Sequence, residues 1–137
     1  MAHPGEALVP DAPATIAALR SAGARFAFVH GSRAQGTDGP GSDVDVAAWF
    51  GGDDPPPWAI RGLPGEVDLL VLDQAPLELA GRVALYGLLL FDDDPGARVG
   101  WLALTRRIYL DERPRTDVAR RIFFDGVRAR EEAHGRP

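Results

Sequence analysis

The sequence predicts an α/β domain: a small mixed sheet of about four strands flanked by helices. Three observations lead there. Short apolar stretches rich in strand formers, RFAFVH (25–30), DVDVAAWF (43–50), EVDLLVL (66–72) and LLLF (88–91), recur along the chain. Stretches with apolar residues at helical spacing lie between and after them. The 137 residues suffice for one domain with one core.

The elements follow in order. Residues 1–10 hold two prolines and little pattern, and are expected to fray. Asp11 suits a helix cap, with Pro13 in the first turn of a helix running to about Ala22. Ile16 and Leu19 define its inner side, with Ala12 and Gly23 as further candidates, and Gly23 stops it. After the strand 25–30, residues 31–42 are rich in Gly, Ser, Thr and Asp, which predicts a loop with a helical turn at Ser32–Gln35. Beyond the strand 43–50, GGDDPPPWAIRGLP (51–64) reads as a loop or ragged insert without an assigned role. The strand 66–72 is apolar on both faces apart from Asp68, so it reads as central in the sheet.

Asp73 and Pro76 then open a helix through LELAGRVALYG, with Leu77, Ala80, Val83 or Ala84, and Tyr86 or Gly87 on one side. The strand 88–91 ends at Asp92-Asp93-Asp94-Pro95. A helix is expected from about Gly96 to Leu110, with Trp101, Leu102, Leu104, Ile108 and Tyr109 packing on the sheet. Pro114 breaks or kinks it, and a last helix is expected over about 115–133. The domain spans 1–137, with its core at about 11–112 and a C-terminal helical arm at about 115–133.

Composition excludes several chemistries. There is no cysteine, hence no disulfide and no thiolate metal site. All fifteen basic residues are arginine, so a phosphate-gripping lysine of the P-loop type is excluded. No basic and apolar leader opens the chain and no apolar run reaches membrane-spanning length, so a cytoplasmic protein without membrane contact is expected. Charge is uneven: residues 1–97 carry a balance of −9 and residues 98–137 one of +4, within a net charge of −5. Such asymmetry suits an acidic, metal-binding body with a basic arm that meets a partner; a solvated arginine-rich helix accounts for it equally simply.

The chemistry concentrates in HGSRAQGTDGPGSDVDV. Gly31-Ser32 leaves a strand directly. Glycine admits close approach of a ligand, free backbone N–H groups suit phosphate oxygens, and the Ser32 hydroxyl can donate to the same phosphate. Most such pairs are plain turns. Asp43 and Asp45 stand at i and i+2 of a strand and therefore share a face, while Val44 and Val46 face the core. Carboxylates so placed repel unless a cation lies between them, and hard oxygen donors at this spacing suit Mg²⁺. A surface strand with solvated acids fits the pair as well. Asp68 adds weight, because a carboxylate in an apolar strand is costly without a partner or a metal. If its strand lies beside 43–50, one metal cluster can use all three aspartates. Arg33 could touch a phosphate or point to solvent; His30 could lie near the site, although a packed strand histidine is the simpler reading.

Gly31-Ser32, ten residues, Asp43-x-Asp45 and a third aspartate in a later apolar strand together resemble the nucleotidyltransferase superfamily typified by DNA polymerase beta. Within it the chain is similar to the minimal nucleotidyltransferases, the MNT or MntA-like antitoxins paired with HEPN-domain toxins. The likeness covers roughly residues 25–110, through GSRAQG, SDVDV, VDLLVLD and LELAGRVALYGLLLFDDDP. It implies a nucleotidyltransferase fold. It implies that Gly31, Ser32 and Arg33 hold a nucleoside triphosphate and that Asp43 and Asp45 bind Mg²⁺ bridging the phosphates. Asp68 would complete the second metal position and help deprotonate the acceptor hydroxyl, as in two-metal phosphoryl transfer. The implied reaction moves AMP from ATP to a tyrosine of a HEPN ribonuclease toxin, in a hetero-oligomer. A binding-only antitoxin acting by occlusion is one alternative. Another is a nucleotidyltransferase with a small-molecule or nucleic-acid acceptor; the acidic body and the lack of an acceptor domain count against that one.

Overall fold

The computed structural model describes residues 2–37, 39 and 43–112. The sheet has four strands: β1 (Phe26–His30), β2 (Val44–Trp49), β3 (Val67–Val71) and β4 (Leu88–Asp92), in the order β3-β2-β1-β4. β1 runs antiparallel to β2 and to β4, whereas β2 and β3 are parallel. The helices are α1 (Ala12–Ser21), α2 (Gly31–Gln35), α3 (Pro57–Arg61), α4 (Leu77–Tyr86) and α5, which runs from 95 to 112, the last described residue. Short 3-10 turns lie at Glu6–Leu8 and Leu72–Gln74. The expected break at Pro114, the helix 115–133 and the basic arm lie outside the described residues.

Strand alternation sorts the side chains into two cores. Ala27, Val29, Val44, Val46, Ala48 and Leu90 face α1, which contributes Ala12, Ile16 and Leu19. Phe26, Phe28 and Ala47 face the other way, onto Val83 of α4 and Trp101 and Leu102 of α5. The result is three layers, α/β/α. The aromatic side is built around Phe26, which stacks on Trp49 with centroids 5.2 Å apart and tilts against Trp101 at 5.9 Å.

Several expectations are corrected. β3 is an edge strand, not a central one. Its two faces are apolar because both lie under cores: Val67, Leu69 and Val71 on the α1 side, Leu70 on the α4 side. Asp68 is accordingly exposed. The stretch 51–64 is no ragged insert. A parallel pair needs a crossover of a dozen or more residues, and residues 50–66 are that crossover, carrying α3 against α1. Asp11 occupies the N-cap of α1 but makes no capping bond, because it adopts φ 51°, ψ 53°. α1 does stop at Gly23, where the Gly23 N–H donates to Arg20 O and the Ala24 N–H to Leu19 O, a Schellman closure. Asp73 opens no helix. Its carboxylate accepts the N–H groups of Phe50 (2.8 Å) and Gly52 (2.6 Å), tying down the exit of β2, and α4 begins separately at Leu77. Asp94 caps α5 by accepting the Ala97 N–H at 3.2 Å. Trp101, Leu102 and Tyr109 pack inward as expected, whereas Leu104 (60% exposed) and Ile108 (41%) lie on the outer side of α5.

Candidate active site

Alternation along three neighbouring strands brings the chemical side chains into one row. His30 ends β1 and sits opposite Asp45 in β2; Asp45 sits opposite Asp68 in β3. Odd positions of β2 and even positions of β1 and β3 point to the same face, the one covered by α4. Neighbouring strands lie about 4.8 Å apart, so two carboxylates stand side by side at one end of the sheet. Among the described residues no hydrogen bond or ion pair engages either of them.

The row opens into a pocket of about 420 Å³. Its floor is His30, Asp45 and Asp68 with Leu69 and Leu70; one wall is Gly31, Ala34 and Gln35 of α2; the other is Leu79, Arg82 and Tyr86 of α4. Gly31 fixes the first wall. It has φ 72°, in the left-handed region, and a Cβ there would run into the Asp45 carboxylate. The turn after β1 therefore folds as it does, and packs as closely on Asp45 as it does, because residue 31 has no side chain. His30 has its Nε2 buried without a hydrogen-bond partner among the described residues. Burial pushes its pKa below the ordinary histidine value, against the opposing pull of the Asp45 and Asp68 charges.

The structure thus unites Gly31, Asp45 and Asp68. Ser32 and Arg33 lie on the same turn but outside the pocket wall: the Ser32 carbonyl accepts the Thr37 N–H at 2.8 Å, and an Arg33 Nη1 reaches Leu8 O at 3.5 Å. Asp43 precedes β2 and is exposed. Among the described residues no group of three or more His, Asp or Glu side chains is close enough to hold an ion. The Asp45–Asp68 pair nevertheless suits a hard cation: the donors are oxygens, no arginine among the described residues pairs with them, and Mg²⁺ commonly takes one or two carboxylates and completes its shell with water and phosphate oxygens. Leu79, Arg82 and Tyr86 were not singled out from the sequence as site residues. Their spacing of i, i+3 and i+7 on the helix after the third strand was the available signal.

Comparison with solved structures settles the fold. A chain from a toxin–antitoxin crystal structure with AMP-PNP is 22% identical, with a TM-score of 0.67; the match covers 83% of this chain and 99% of that one. The chain has the nucleotidyltransferase fold. A chain from the MntA–HepT toxin–antitoxin pair matches that fold at 19% identity and TM-score 0.60, over 82% of this chain and 96% of the other. A chain from the complex of tri-AMPylated Shewanella oneidensis HEPN toxin with its MNT antitoxin is 20% identical, with TM-score 0.52, over 79% and 94%. No protein-family model and no curated protein matches the sequence. None of the described helices is long and apolar enough to cross a membrane.

Proposed function

We propose that this chain is a Mg²⁺-dependent protein adenylyltransferase serving as the antitoxin of a HEPN toxin. It would move AMP from ATP to a tyrosine of that partner within a cytoplasmic hetero-oligomer. The observation that carries the reading is the register match of Asp45 with Asp68, two carboxylates without an ion pair among the described residues, facing one pocket beside the Gly31 turn. The fold supports it: chains of this fold occur in structures described with AMP-PNP and with a tri-AMPylated HEPN toxin.

In this reading the tyrosine oxygen attacks the α-phosphorus of ATP. An O–P bond forms, the α–β phosphoanhydride bond breaks and pyrophosphate leaves. Asp45 and Asp68 would hold Mg²⁺, with Asp43 proposed as a third carboxylate; the ion, when bound, neutralises phosphate charge. Asp68 lies on the edge strand of the sheet and, in this reading, would take the acceptor proton. Gly31 keeps the turn close to the phosphates, and Ser32 and Arg33 act from beside the pocket. Catalysis here is positioning and charge neutralisation, which needs no lysine.

Neutralisation of the co-encoded partner in cells tests the reading against occlusion. Asp43→Asn with Asp45→Asn should abolish neutralisation while the complex still forms in a pull-down. Full neutralisation by that variant would mean that the chain works by covering its partner.

A further inference from the structure

The α4 wall has no part in the roles assigned so far, yet Leu79, Arg82 and Tyr86 line the pocket. Its buried side is crowded: Ala80, Gly81, Val83 and Ala84 all face inward. A Cβ on Gly81 would collide with the Tyr109 ring, and Arg106 Nε donates to Ala84 O at 2.6 Å. α5 therefore clamps α4 in one position. The opposite side presents Leu79 (41% exposed), Arg82 and Tyr86 (55% exposed) to the pocket, facing Asp45 and Asp68. Among the described residues Arg82 is the one arginine lining the pocket. It pairs with neither of those carboxylates but with Glu78, one turn back on its own helix, through a single contact at 2.9 Å. Both partners are about half exposed or more, at 61% and 47%, and so solvated a pair holds Arg82 only weakly. Among the described residues the rest of the guanidinium fork has no further hydrogen bond.

Resting on the nucleotidyltransferase reading above, we infer that α4 is the nucleotide-holding wall. Arg82 exchanges Glu78 for the phosphates of a nucleoside triphosphate, and the Tyr86 ring stacks beneath its base. Glu78 is then a competing anion that keeps Arg82 off Asp45 and Asp68 in the empty pocket, leaving those carboxylates to a cation. The polyanion brings more charge than Glu78 and can engage the fork bidentately, so the exchange runs toward the nucleotide. Tyr86 gives an exposed aromatic face one turn further on, the kind of surface on which any base stacks.

Titration calorimetry of the full chain with AMP-PNP and Mg²⁺ tests this. Arg82→Ala should weaken binding roughly tenfold or more, the scale of a lost charge-assisted contact. Glu78→Gln should tighten it, by about twofold for a surface pair of this kind. Tyr86→Ala should weaken it severalfold and Tyr86→Phe leave it unchanged, because stacking needs the ring and not the hydroxyl. Since all three side chains are exposed, thermal unfolding of the unliganded variants should match the wild type. Wild-type binding that persists unchanged in Arg82→Ala, or that fails to tighten in Glu78→Gln, overturns the inference alone. Loss of partner binding with nucleotide affinity intact also overturns it, and assigns Arg82 to the protein interface. A wild type that binds no nucleotide overturns the functional reading and this one together.

Discussion

Gly31 and Asp73 show how single residues hold this site in shape. Replacing Gly31 by alanine puts a Cβ at φ 72° and against the Asp45 carboxylate. The left-handed conformation alone costs about 1–2 kcal/mol. The collision must also move Asp45 or the turn. Gly31→Ala should therefore lower the denaturant midpoint modestly and remove transfer activity almost completely; a variant with wild-type activity would show that the turn is not part of the site. Asp73 acts at a distance. Its two charge-assisted bonds to Phe50 N–H and Gly52 N–H hold the exit of β2, and Asp73→Ala should cost about 1–3 kcal/mol in urea unfolding. Nucleotide affinity should survive that change, since Asp73 lies outside the pocket wall. Strand alternation made it legible in the sequence that Asp43 and Asp45 share a face; the edge position and exposure of Asp68 were not legible, because a strand apolar on both faces reads as central. Nor was the role of Asp73, because nothing local says that an acid after a strand will reach back to an earlier one.

At the scale of elements, the parallel β2–β3 pair explains most of what the sequence obscured. Proline and glycine in 51–64 read as loop, yet Pro57 is a good first-turn residue and the five residues of α3 are too few to show a period. Likewise β3 looks central by its apolar faces, but helices on both sides of a three-layer fold cover an edge strand just as well. On α5, Leu104 and Ile108 make an apolar stripe beside the one that packs; contact of Tyr109 with Gly81 decides between them. Gly81→Ala should destabilise the chain by about 1–3 kcal/mol, because overpacking outweighs the gain of about 1 kcal/mol in helix propensity. In combination with Tyr109→Ala the penalty should shrink; additive losses would contradict the packing explanation. A second tie joins α1 to the end of β4, where Arg20 Nε and Nη2 donate to the two Asp93 oxygens at 2.8 Å each. Arg20 holds the Asp93 carboxyl below the ordinary carboxylate range. Its stabilisation is present above that range and is lost as pH falls through the lowered folded-state value. Both groups are largely solvated, so a double-mutant cycle should read under about 1 kcal/mol near neutral pH and nothing in strong acid.

At the scale of the whole molecule, the three layers serve one end of the sheet. The α1 core fixes the register of β1, β2 and β3; the α4–α5 clamp sets the opposite wall; between them stand Asp45 and Asp68. The parallel pairing of β2 with β3, which the sequence offered only as a condition, sets that arrangement, and the α4 wall could be recognised only once the helix was seen to close over the carboxylates. The most direct test is intact-mass spectrometry of the co-encoded partner after incubation with this chain, ATP and Mg²⁺, beside an Asp45→Asn, Asp68→Asn variant and a chelator control. The account predicts one or more AMP-sized gains on a partner tyrosine, absent from both controls. A partner left unmodified by the wild type while binding it tightly, or modified equally by the variant, would contradict it.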